Sequence, residues 1–129
     1  MLVDEALAVV RTCAVAEALA LHGRDGVLFV DLREAAELER AGTIPGALHT
    51  PRGVLEFRAD PSSEWHQPVF SRPGTQLLLF CAVGWRSALA ARALQEMGLQ
   101  DISHIGGGFE AWRGAGGPVT PVPRSYNSR

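Results

Sequence analysis

Two short apolar runs restrict the fold of this chain more than any other feature. Val27-Leu28-Phe29-Val30, bounded by Gly26 and Asp31, and Gln76-Leu77-Leu78-Leu79-Phe80 offer almost no polar face. Strands of that kind are buried on both sides, as in a parallel sheet covered by helices. Between and around them lie stretches with helical signals. From Val3 to Leu21, Leu7, Val10, Ala14, Ala18 and Leu21 recur at gaps of three and four, which predicts one amphipathic helix closed by Gly23. Residues 34–40 and 88–97 read as further helices stopped by Gly42 and Gly98, and Phe109 to Arg113 as a last one. Ile102 to Ile105 is another short strand, and a further apolar stretch follows the Ile44-Pro45-Gly46-Ala47 turn. One or two helical turns fit Arg52 to Arg58, while Asp60 to Gly74, with Pro61, Pro68 and Pro73, reads as an irregular connection. Alternating strands and helices predict an α/β domain with a parallel sheet.

Composition narrows the function. At 129 residues and 47% hydrophobic, the chain has the core content of one self-folding domain, expected over residues 1–118 with a proline-spaced tail at 119–129. All twelve basic residues are arginine. The absence of lysine excludes Schiff-base chemistry, lysine-held pyridoxal phosphate and the P-loop lysine. A net charge of −2 with scattered arginines argues against nucleic acid as a partner. Asp4 and Glu5 stand where a targeting signal would carry positive charge, and no run approaches the roughly 18 apolar residues of a membrane span, so the expectation is a cytoplasmic protein without a membrane partner. Cys13, Cys81 and the four histidines show no metal-ligand spacing, so no metal is expected.

Cys81 is where chemistry concentrates. It ends a buried strand and precedes a helix, the position at which open α/β sheets place their sites. Loop amides, the positive end of the helix dipole and Arg86 all favour thiolate over thiol, so a lowered cysteine pKa is expected. The same groups would bind an anion above the sulfur. Gly84 permits the loop's curvature, and Ser87 is expected to cap a helix starting at Ala88. Taken alone, a cysteine after an apolar strand is ordinary core; glycine, arginine and serine in register behind it are what point to a nucleophile.

Cys81-Ala82-Val83-Gly84-Trp85-Arg86-Ser87 resembles the active-site loop of the rhodanese homology domain, the single-domain thiosulfate sulfurtransferase family. Asp31-Leu32-Arg33-Glu34, Gly42-Thr43-Ile44-Pro45-Gly46-Ala47 and Gly106-Gly107-Gly108-Phe109-Glu110-Ala111-Trp112 are similar to its other signatures and come in its order. Thr43 departs from the family's usual histidine and is expected to change a structural hydrogen bond only. The resemblance implies a central parallel sheet of about five short strands with helices on both faces. It implies a sulfurtransferase in which Cys81 takes sulfane sulfur from thiosulfate or a persulfide and passes it to cyanide or a thiol, without cofactor or metal. Ala82, Val83, Gly84, Trp85 and Arg86 would bind the donor, with Arg52 placed to reach the same pocket. A protein partner in a sulfur relay fits the same chemistry. The alternatives are a persulfide carrier or regulatory binding module, and a phosphatase or arsenate reductase. The last two hold oxyanions in loops with five residues between cysteine and arginine, against four here.

Other residues read as structural. Arg33 is expected in an ion pair with Asp31 or Glu37, Trp85 as a pocket wall, and Cys13 as packing for the first helix. His104 reads as a satisfied internal residue, and no histidine stands in a general-base motif. Gly106 to Ala111 fits the dinucleotide fingerprint G-x-G-x-x-A, but the eighteen residues after Ala111 leave no room for the second strand it needs.

Overall fold

The expected parallel sheet forms, and the computed structural model describes residues 1–124 of the chain. The last five residues of the expected tail lie outside the described residues. Among the described residues the strands are β1 (Arg11–Cys13), β2 (Val27–Asp31), β3 (Leu48–His49), β4 (Gln76–Phe80) and β5 (Ile102–Ile105). They lie in the order β1-β5-β4-β2-β3, every pair parallel. The helices are α1 (Leu2–Val9), α2 (Val15–Leu21), α3 (Ala35–Ala41), α4 (Leu55–Ala59), α5 (Trp85–Glu96) and α6 (Gly108–Gly114).

Both faces of the sheet are covered, as the apolar runs require. Strand alternation sends Leu77 and Leu79 into one cluster with Val30, Leu55 and Leu94. Leu78 and Phe80 enter the other, with Phe29, Phe109 and Trp112. Full burial of a leucine is worth roughly 1.5–3 kcal/mol, so the central strand alone anchors much of both layers.

Two expectations from helical spacing are corrected. The single helix over Val3 to Leu21 is two helices separated by β1, with Val10 already extended at φ −100 and ψ 158. The physical reason is tertiary: Arg11, Thr12 and Cys13 pair with Ser103, His104 and Ile105 at the sheet edge. The strand also carries the chain from one face to the other, since α1 packs on α5 and α2 on α6. Gaps of three and four survive across such a break and do not reveal it. The second correction concerns α5, which begins at Trp85 instead of Ala88, with Gly84 as its N-cap in a left-handed conformation at φ +104. Ser87 is therefore inside the first turn and caps nothing. The connection 60–74 contains only a 3-10 turn, Pro68–Ser71, and Arg52–Val54 forms another before α4.

Beyond α6 the chain remains tied to the body. Trp112 Nε1 donates to Pro118 O at 2.8 Å, and Thr43 and Thr120 exchange two backbone hydrogen bonds. No helix among the described residues is long and apolar enough to cross a membrane.

Candidate active site

Cys81 follows the central strand directly and is 1% exposed, so its sulfur lies at the floor of the loop. The Sγ accepts the backbone N–H of Gly84 at 3.2 Å and of Ser87 at 3.3 Å. Both donors exist because α5 starts early: the left-handed Gly84 turns the chain so that the loop and the first helical turn point their amides at one atom. Such a cradle stabilises negative charge on sulfur.

The loop carbonyls are held as firmly. Cys81 O accepts from Phe109 N at 2.8 Å and Ala82 O from Glu110 N at 3.0 Å, so the first turn of α6 props the loop from below. Gly108 makes this approach feasible. It sits at φ +63, and a Cβ there would lie 2.5 Å from Cys81 O and 2.7 Å from the Ala82 carbonyl.

Arg86 is not a free cation. Its two terminal nitrogens donate to the carboxylate oxygens of Glu37 at 2.8 and 2.9 Å. Glu37 also accepts the Glu34 backbone N–H at 2.8 Å, as half of a capping box at the start of α3. The Arg86 hydrogen bond, foremost, holds the Glu37 carboxyl down to about 2. In return Glu37, and more weakly Cys81, keep the Arg86 guanidinium protonated beyond its ordinary range.

Ala82 is half-buried at the loop's start, Val83 is exposed, and Trp85 is 60% exposed. Val83 and Trp85 are the exposed apolar groups of the loop. The Arg52 guanidinium donates to Glu56 at 2.7 Å, one turn along its own segment. Its backbone N–H bonds Leu32 O just beyond β2, at the carboxyl end of the sheet that also carries the loop.

Arg33 takes the structural role expected for it, with Asp31 as partner. It donates Nε to Asp31 Oδ1 at 3.0 Å and one terminal nitrogen to Oδ2 at 2.8 Å, and reaches Gly42 O at 2.7 Å. Its guanidinium lies 4.1 Å from the Phe109 ring centroid. Thr43 donates to Asp31 Oδ2 at 2.7 Å, the structural bond that its hydroxyl provides in place of an imidazole. Cys13 is packed among Phe29, Phe80 and Ile105, and burial first, then Glu17, pushes its thiol up to about 11.

Sequence reasoning missed two partners of the site. Glu37, expected only as an alternative partner for Arg33, pairs instead with Arg86, a contact its place in Glu34-Ala35-Ala36-Glu37 does not announce. His104 is internal, as expected, and its Nδ1 lies 2.8 Å from Ser87 Oγ, a contact that its strand position does not announce. Among the described residues no group of three or more His, Cys, Asp or Glu is placed to hold a metal ion. A cleft of about 360 Å³ between Arg72–Thr75 and Gly98–Asp101 adjoins the starts of β4 and β5, the end of the sheet remote from Cys81.

Comparison with known proteins adds three kinds of finding. The model of the rhodanese-like domain family matches residues 14–115. A putative sulfur carrier protein of Bacillus subtilis is 32% identical over 85 residues, covering 66% of this chain and 40% of that protein. The thiosulfate sulfurtransferase GlpE of Pseudoalteromonas translucida is 29% identical over 103 residues, 79% of this chain and 88% of that one. A solved structure from Rhodopseudomonas palustris, described as a protein of unknown function and possible tyrosine phosphatase, is 47% identical. It superposes with a TM-score of 0.88 over 92% of this chain and 90% of its own.

Proposed function

On the footing that this chain belongs to the rhodanese-like domain family, we propose that it transfers sulfane sulfur through a persulfide on Cys81. The observation that carries this reading is the sulfur cradle, two backbone N–H groups at 3.2 and 3.3 Å from Cys81 Sγ. The thiolate attacks the outer sulfur of thiosulfate, or of a small persulfide; the new S–S bond forms as the donor's own S–S bond breaks, and sulfite from thiosulfate, or the parent thiolate from a persulfide, departs with the electron pair. A thiol or cyanide then attacks the outer sulfur of Cys81–S–S⁻, and the Cys81 thiolate leaves into the same two amides. Splitting the transfer into two displacements is nucleophilic catalysis, and the fixed donors stabilise the charge at each exchange. Ala82, Val83, Gly84 and Trp85 line the approach, and Arg86 holds the donor's oxyanion as far as Glu37 yields it. Arg52 contributes at the rim once it releases Glu56.

A persulfide carrier working with a protein partner is the second reading, favoured by two observations. Arg86 is already neutralised by Glu37, which weakens capture of a free dianion, and Trp85 and Val83 present an apolar rim suited to a protein surface. Phosphoryl transfer is a poorer fit, because four residues between Cys81 and Arg86 make a tight ring for a tetrahedral phosphoryl group.

Intact mass before and after thiosulfate, with Cys81→Ser alongside, tests the reading. We expect a gain of one sulfur that depends on Cys81 and is discharged by cyanide as thiocyanate. No gain with thiosulfate, but a gain from a persulfidated protein, selects the carrier; phosphate release from an aryl phosphate with no sulfur gain overturns both.

A further inference from the structure

His104 is 1% exposed and lies in β5, paired side by side with Thr12 of β1 and Leu79 of β4. Paired residues of a parallel sheet point to the same face, and here that face is covered by α5, whose first turn carries Ser87. The outcome is a continuous hydrogen-bonded row. Cys81 Sγ lies 3.6 Å from Ser87 Oγ, within range for sulfur. Ser87 Oγ is 2.8 Å from His104 Nδ1, and His104 Nε2 is 2.9 Å from Thr12 Oγ1. Thr12 is an exposed residue on the edge strand.

We propose that Ser87, His104 and Thr12 form a proton path from the Cys81 sulfur to solvent at the sheet edge, with His104 a positioning residue that works by exchanging its tautomer. Its use presupposes Cys81 as the nucleophile of sulfur transfer. With Cys81 as a thiol, the S–H donates to Ser87, the Ser87 hydroxyl to Nδ1, and the Nε2–H to Thr12. Ionisation reverses every bond. The sulfur keeps the S–H electron pair while its proton passes to Ser87 Oγ; the Ser87 proton passes to Nδ1, the Nε2 proton to Thr12, and the Thr12 hydroxyl proton to water. One proton reaches solvent, the imidazole stays neutral, and the sulfur gains the Ser87 hydroxyl as a third donor beside its two amides. Re-protonation after sulfur discharge runs the same row backwards.

The surroundings suit a neutral relay. Burial is the cause that lowers the basicity of His104, which disfavours an imidazolium intermediate. Each neighbouring element supplies a neutral group: Leu79 from β4, Thr12 from β1 and Ser87 from α5. Of the charged groups, Arg86 next to Ser87 is paired with Glu37 and interacts with Cys81, and Arg11 stands next to Thr12 in β1. Cys13, next to Thr12, packs into the opposite cluster. A path that leaves by the sheet edge at Thr12 lets Cys81 lose or regain a proton while a donor or partner covers the loop.

The test is a pH titration of the full chain by NMR, following the ring nitrogens of His104 together with the Cys81 Cβ. Cys13 is separable because its thiol is pushed up to about 11. We expect His104 to change from the Nε2–H to the Nδ1–H tautomer with the midpoint of Cys81 ionisation, and the shared midpoint to be lost in Ser87→Ala. One tautomer throughout, imidazolium formation at an unrelated midpoint, or coupling that persists in Ser87→Ala overturns the path. No sulfur donor is present in this measurement. Failure of thiosulfate to load Cys81 while the tautomer exchange holds therefore counts against the sulfur-transfer reading alone.

Discussion

Glu37 occupies both terminal nitrogens of Arg86. The pair is partly open to water, with side-chain exposures of 37% for Arg86 and 23% for Glu37, so its contribution to stability is about 0.5–1 kcal/mol. Because the folded-state carboxyl is held down to about 2 from an ordinary 4.5, that contribution is complete above pH 4.5 and disappears as pH falls towards 2. Glu37→Gln, which preserves the capping box, should lower the melting temperature above pH 4.5 and match the parent near pH 2. The same variant frees Arg86 and should raise the rate of thiosulfate loading roughly tenfold, a change of about 1.4 kcal/mol, measured by persulfide formation under first-order conditions. Unchanged loading would mean that the oxyanion does not use Arg86. At this scale the sequence was informative about what lies within one loop and silent beyond it. Cys81, Gly84, Arg86 and Ser87 are legible in register because they fall within seven consecutive residues. Glu37 is 49 positions from Arg86, and Thr12 is 92 from His104.

Elements fix the loop from both ends. The helix after Cys81 begins at Trp85, which aims the Ser87 amide at the sulfur, and the helix after the triple glycine props the carbonyls of Cys81 and Ala82. Gly108 is the narrowest point of that contact. Gly108→Ala forces a left-handed backbone costing roughly 1–2 kcal/mol on a side chain and drives a Cβ into the loop carbonyls, so a total near 3 kcal/mol is expected. Urea unfolding should report that loss, and persulfide formation should fall with it even at temperatures where the variant stays folded. Wild-type loading in a folded variant would show that the loop does not depend on this contact. The strand elements were legible because apolar runs bounded by glycine and aspartate leave few alternatives. The first twenty residues were not, since α1 and α2 share one helical periodicity across β1. Pairing with β5 overrode it by satisfying backbone groups that a helix would have satisfied differently.

The whole molecule closes on a strap beyond α6. Pro118 O accepts the Trp112 indole, Thr120 bridges Thr43, and Gly117 lies so close to the Trp112 ring that a Cβ would stand 2.4 Å from it. Trp112 is fully buried with Phe29 and His22 in edge contacts of 5.6 and 5.4 Å. Removing residues 118–129 should therefore cost about 1–3 kcal/mol by leaving the indole and Thr43 groups unpaired, measured as a drop in the urea midpoint. An unchanged midpoint would show that the strap only lies on the body. The sequence by itself determined the parallel α/β architecture and singled out Cys81 and its loop, because period, bounding glycines and the spacing from Cys81 to Ser87 are local properties. Only the tertiary structure decided that Glu37 occupies Arg86, that the first helix is broken by an edge strand, and that Ser87, His104 and Thr12 stand in one row. Those depend on which strands become neighbours and on the face each side chain then shares, and neither is written in the order of residues along any one segment.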